Sequence, residues 1–219
     1  MKSVPLDQRV ARAIVPLIAR TPATPNHLTA TSLLLALAAA GLFATGDGVL
    51  VNWGAGLFVF ARFLDHFDGE LARFKGIASR FGYYFDYLTG ALSYAALFLG
   101  IGLGLSMGAL GGWAIALGAA ATAAALITMG LNIHIDRINA KGAGKQKAGE
   151  RDAVSYPGYG GFEIEDGIYL LAPITWLGFL TPFYVLTCVG ASIFCLWTLA
   201  QLLRLRRKGA RDLAATPPS

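Results

Sequence analysis

The chain of 219 residues is 55% hydrophobic and only 14% charged, where a water-soluble domain carries about 25% charged residues, which excludes an ordinary soluble globular fold. Its net charge of +5 comes from 18 basic and 13 acidic residues. Most of the basic residues crowd into a few polar segments, a pattern suited to anionic lipid rather than nucleic acid.

The first 22 residues carry Val4, Leu6, Val10, Ile14, Leu17 and Ile18 at helical spacing, with Arg9, Arg12 and Arg20 for a headgroup region. An interfacial amphipathic helix is expected there, a poorly ordered leader being the alternative. Asp7, Pro5 and Pro16 break any continuous apolar run, which argues against a signal peptide. Thr24-Pro25-Asn26 then offers capping groups for a first uncharged span over 28–45. After the turn Gly46-Asp47-Gly48, a second span starts near Val49; its apolar run is interrupted by Arg62 and continues as a polar helix over 65–75.

Two long stretches, 87–135 and 167–203, contain no Asp, Glu, Lys or Arg. At about 20 residues per crossing, each accommodates two spans. The third span is placed at 81–104, the fourth at 111–135, the fifth at 164–177 with a kink at Pro173, and the sixth at 183–203. The expected fold is therefore all-α: a polytopic membrane protein of six transmembrane helices plus the N-terminal interfacial helix. It forms a single membrane domain, with the interfacial helix over 1–22, the core over 24–207 and a flexible cytoplasmic tail over 208–219. The many glycines and alanines are read as close-packing surfaces, because lipid offers membrane helices no hydrophobic drive to associate. Cys188 and Cys195, seven apart on one helix, lie roughly 10 Å from each other and are too distant to bridge.

Six spans put both termini on one side and the turns at 46–48, 104–111 and 178–182 on the other. Those three turns hold no Lys or Arg. The positive-inside rule then places both termini in the cytoplasm of an inner-membrane protein. Arg137, Lys141, Lys145, Lys147 and Arg151 fall in the 136–159 loop. They either set topology over anionic lipid or meet a phosphorylated substrate.

Acids at membrane depth are costly and read as functional by default. Asp65 and Asp68 share a helix face, with Gly69 and Ala72 projecting beside them and Arg73 in the same sector. Asp86 lies four residues after Gly82 at the start of the next span. Antiparallel neighbours joined by a short link can bring the three carboxylates together, where mutual repulsion favours a hard divalent cation. The alternative is a set of ion pairs: Arg62 with Asp65, Arg73 with Asp68 and Arg80 with Asp86.

The segment Asp65-His-Phe-Asp68-Gly69-Glu-Leu-Ala72-Arg73, followed after eight residues by Gly82-Tyr-Tyr-Phe-Asp86, resembles the signature of CDP-alcohol phosphotransferases, D-x-x-D-G-x-x-A-R and then G-x-x-x-D-x-x-x-D. Seven of the eight fixed positions match. The resemblance implies that a CDP-linked lipid such as CDP-diacylglycerol donates its phospho-alcohol group to an alcohol or alcohol-phosphate acceptor, with release of CMP. It implies Mg²⁺ or Mn²⁺ on Asp65, Asp68 and Asp86, and room for the nucleotide at Gly69, Ala72 and Gly82. It also implies phosphate complementation by Arg73, and a homodimer. The fourth family aspartate is Gly90 here. A carboxylate from Glu163, Glu165 or Asp166 is the leading substitute as general base, with His66 and Glu70 as lesser choices. A non-catalytic relative that binds CDP-lipid, a partner of an active subunit and a small transporter stand as alternatives.

Overall fold

A computed structural model of the chain describes residues 6–142, 158–159 and 162–214, with side chains described for 12–139 and 167–207. Apart from a two-residue hairpin, the described residues are helical. The helices are α1 (Leu6–Ile18), α2 (Pro25–Ala44), α3 (Gly48–Lys75), α4 (Arg80–Ser106), α5 (Gly112–Gly142), α6 (Leu171–Trp176) and α7 (Leu180–Ala214). Five of them, α2 to α5 and α7, are long and apolar enough to cross a membrane.

The helix ends follow local chemistry. Thr24 caps α2 by accepting from His27 N, while the His27 ring accepts from Thr24 N, so two otherwise orphaned donors are satisfied. Asp47 caps α3 through Val49 N and Leu50 N, both at 3.0 Å. Gly76, at φ 66°, closes the same helix in the left-handed region that a residue with a Cβ avoids. Ser79 then caps α4 by accepting from Gly82 N at 3.0 Å. Only four residues separate α3 from α4, which sets their polar ends side by side.

The helices pack through small residues. A Cβ on Gly100 or Gly104 of α4 would collide with the backbone oxygens of Ala40 or Phe43 on α2. On α5, a Cβ on Gly118 would come within 2.6 Å of Phe98 O on α4. Tyr184 of α7 is fully buried at this crossing and donates toward Ala114 O at 2.8 Å and Phe98 O at 3.2 Å. The main core joins Ala36, Phe43, Phe58, Leu97, Phe98, Ala121, Leu171 and Tyr184 from every layer of the bundle. A second cluster seats α1 on the C-terminal end of α3, with Val15 buried against Phe67 and Leu71. Cys188 and Cys195 are both free thiols.

The region expected to form the fifth span departs from a continuous helix. Residues Ile164–Leu170 form a 3₁₀ segment, and only the six residues of α6 are α-helical. Pro173 sits in the first turn of α6, where its missing N–H leaves no hydrogen bond unmade, and the 3₁₀ stretch carries the chain up to it. The C-terminal helix runs to Ala214, past the boundary expected near 207.

Candidate functional site

The N-terminal ends of α2 and α4 and the C-terminal end of α3 diverge around a cavity of about 640 Å³. Its outer wall includes Asn26, Asp65, Asp68, Gly69, Ala72, Arg73, Gly82 and Asp86. Deeper in the bundle it is lined by Gly90, Tyr94, Phe98, Met129, Asn132 and Phe194. Asp65, Asp68, Gly69, Ala72 and Arg73 share one face of α3 because helical neighbours recur every three to four positions. Gly82 and Asp86 stand one turn apart on α4, and the short Gly76–Ser79 link turns that face toward α3.

Asp65, Asp68 and Asp86 each offer one carboxylate oxygen, and the three oxygens lie within 4.8 Å of one another. Asp65 and Asp68 are 7% and 6% exposed, so their charges sit where water screens them little. Hydroxyls of α2 orient both. Ser32 Oγ donates to Asp65 Oδ1 at 3.0 Å, and Thr29 Oγ1 donates to Asp68 Oδ2. Arg62 Nη1 meets Asp65 Oδ2 at 3.0 Å, while its guanidinium lies over the Tyr94 ring at 5.2 Å from the centroid. Three convergent hard oxygen donors with oriented second oxygens fit a divalent cation of the Mg²⁺ or Mn²⁺ type.

The ion-pair alternative is realised between Arg62 and Asp65. Arg73, expected beside Asp68, instead donates through Nη2 to Glu70 Oε1 at 2.8 Å. The same oxygen accepts from Arg12 Nε of α1 at 3.2 Å. Glu70 is thus nearly buried and occupied by two guanidinium groups, which argues against it as the substitute base. His66 lines the cavity, with its ring centroid 6.5 Å from that of Tyr169.

A Cβ on Gly69 would lie 3.6 Å from the Arg73 guanidinium nitrogens, so that guanidinium lies across the glycine. A Cβ on Gly82 would press on Ser79 Oγ at 3.2 Å and Asn26 Oδ1 at 3.4 Å. A Cβ on Gly90 would meet nothing within 4 Å, so the position of the missing family aspartate opens directly into the cavity. The side chains of Glu163, Glu165 and Asp166 lie outside the described residues.

Several site residues were not anticipated. Thr29 and Ser32 are polar positions three apart near the start of an apolar span, a signal that a search for paired hydroxyls would find. On the α5 side, Asp136 Oδ2 accepts from the hydroxyls of Tyr83 and Tyr87, each at 2.6 Å. Asn132 Oδ1 and Asp136 Oδ1, one turn apart, are buried without a hydrogen-bond partner.

The class is therefore a membrane-embedded helical bundle with a tri-carboxylate centre at the mouth of an intramembrane cavity. The family model of CDP-alcohol phosphatidyltransferases matches residues 22–151, more than half of the chain. The chain belongs to that family, whose members are transferases of phospholipid synthesis. A relative, the archaetidylinositol phosphate synthase of Pyrococcus horikoshii, is 29% identical over 168 residues, which cover 74% of this chain and 82% of the relative. The fold is shared with the phosphatidylinositol phosphate synthase of Mycobacterium tuberculosis. Its structure with bound CDP-DAG has a TM-score of 0.61 at 20% identity, over 90% of this chain and 93% of that one. Its complex with manganese and citrate has a TM-score of 0.62 at 20% identity, over 90% and 89% of the two chains.

Proposed function

We infer that this protein transfers the phospho-alcohol group of a CDP-alcohol such as CDP-diacylglycerol to an acceptor hydroxyl and releases CMP. The observation that carries the reading is the convergence of Asp65, Asp68 and Asp86 at the mouth of a cavity walled by Gly69, Ala72, Gly82 and Arg73. A divalent cation, Mg²⁺ or Mn²⁺, held by these three aspartates would neutralise the diphosphate and favour charge development at phosphorus.

The side chains do the rest. Ser32 and Thr29 fix the two α3 carboxylates, and Arg73 complements phosphate charge. Gly69, Ala72 and Gly82 keep the wall low enough for the nucleotide. The acceptor oxygen forms its bond to phosphorus as the bond to the CMP oxygen breaks, and the acceptor proton passes to a base. Glu163, Glu165 and Asp166 are the proposed source of that base. Support comes from Tyr169, which stands beside His66 of the cavity wall and lies on the 3₁₀ segment that also carries Glu165 and Asp166 and directly follows Glu163.

The same segment supports six crossings. Tyr169 lies beside His66, and Trp176 Nε1 donates to Asn52 O at 3.0 Å. The segment therefore packs along α3 from the level of His66 toward its N-terminal end. With that crossing, the chain forms one domain in the cytoplasmic membrane with both termini in the cytoplasm, α1 lying at the interface. Ile14 and Leu17, both exposed on α1, are suited to lipid contact. Alcohol or alcohol-phosphate acceptors and a homodimer complete the proposal.

The test is CMP release by the purified protein with CDP-diacylglycerol, Mg²⁺ and a panel of alcohols. A second reading, a relative that binds CDP-lipid without turnover, is favoured by Gly90 alone. It stands if CDP-diacylglycerol binds but no acceptor yields CMP, and if Gly90→Asp then restores release. Loss of release in Glu163→Gln, Glu165→Gln or Asp166→Asn with binding intact would locate the base. Unchanged release in all three removes that assignment.

A further inference from the structure

We propose that Glu70 is a positioning residue that holds Arg73 over the mouth of the cavity, and that Arg12 makes this hold depend on the seating of α1 against α3. The proposal rests on the reading of the cavity as a CDP-alcohol site and assigns the control of its phosphate-binding arginine.

Glu70 is 7% exposed and does not line the cavity, whereas Arg73 does. One carboxylate oxygen, Oε1, takes both Arg73 Nη2 at 2.8 Å and Arg12 Nε at 3.2 Å. The two arginine side chains are half exposed, at 51% and 53%, so neither is fixed by packing alone. Arg73 has many rotamers open to it; the bond to Glu70 selects one whose guanidinium lies across Gly69. Ordering the guanidinium before the ligand arrives removes part of the entropic cost of binding a diphosphate.

Arg12 has a separate effect. Alone, the Glu70 carboxylate would cancel the charge that Arg73 offers to phosphate. The second guanidinium shares that carboxylate and leaves Arg73 with positive potential to spend on a ligand. Arg12 reaches Glu70 because Val15, three residues on, is buried against Phe67 and Leu71. A helix suited to the membrane surface is thereby wired to the nucleotide site, and a displaced α1 lowers the affinity for the donor.

The test measures KM for CDP-diacylglycerol and kcat of CMP release for the full chain in lipid nanodiscs. Glu70→Gln and Arg12→Ala are each expected to raise the donor KM about tenfold, and to raise it more than they lower kcat. Arg12→Lys, which keeps the charge, is expected to recover most of the loss. In an Arg73→Ala background both substitutions are expected to be nearly silent, since they act through Arg73. Unchanged or lower KM in Glu70→Gln, or losses that simply add to that of Arg73→Ala, overturns the proposal while leaving the transferase reading in place. If Glu70→Gln unfolds, the comparison of Arg12→Ala with Arg12→Lys decides alone. A wild-type protein that neither binds CDP-diacylglycerol nor releases CMP overturns the transferase reading and this role with it.

Discussion

The two halves of the bundle are built from the same helices and are packed in opposite ways. Toward the turns at Gly46 and Gly111, α2 and α4 touch backbone to backbone, and Gly100 and Gly104 leave no room for even one methyl group. Toward the Gly76–Ser79 link, α3 and α4 separate around about 640 Å³, and Gly90 faces open space. The same residue type thus does opposite work a few turns along one helix. The closed half supplies rigidity, and the open half spends it on holding two buried carboxylates and one half-buried one close together against their mutual repulsion.

The sharpest way to break this contrast is to remove a carboxylate from the open half. Asp68→Asn is expected to lower CMP release by about 10³-fold, the scale of losing a charge-stabilising group at a phosphoryl centre, with the detergent melting temperature little changed. Overfilling the closed half comes next. Gly104→Val is expected to cost about 3 kcal/mol of stability or more, read as a lower melting temperature and loss of monodisperse protein. A smaller effect is expected from the α2 hydroxyls. Ser32→Ala and Thr29→Val should weaken Mn²⁺ binding by about tenfold each, read by calorimetry in the absence of substrate, as for groups that orient metal ligands. The smallest sharpens the comparison most: Gly90→Ala is expected to shift stability by less than about 0.5 kcal/mol, because its methyl group meets no atom. If Gly90→Ala and Gly104→Val destabilised the protein equally, the distinction between an open and a closed half would be lost.

Most of the membrane layout was readable from uncharged stretches, because hydrocarbon excludes charge wherever a helix crosses it. The exception is instructive. The stretch at 164–177 was read as a helical span on composition, yet the chain there is 3₁₀ up to Leu170 and α-helical only to Trp176. Composition reports whether a segment tolerates lipid or a protein interior; it does not report how many residues the segment uses per ångström.

Sequence by itself determined the carboxylate trio and its helical faces, since spacing along a helix is a local property. The tertiary structure decided which groups answer those carboxylates. Arg73 lies three residues after Glu70, a spacing that favours that pair over Asp68, but only the arrival of Arg12 from α1 shows the carboxylate at which two guanidinium groups converge. Thr29 and Ser32 became site residues because α2 crosses α3 at that level, and Gly90 became an opening because no neighbour reaches it. Contacts of this kind depend on where separate helices meet, and helical periodicity carries no information about a partner dozens of residues away.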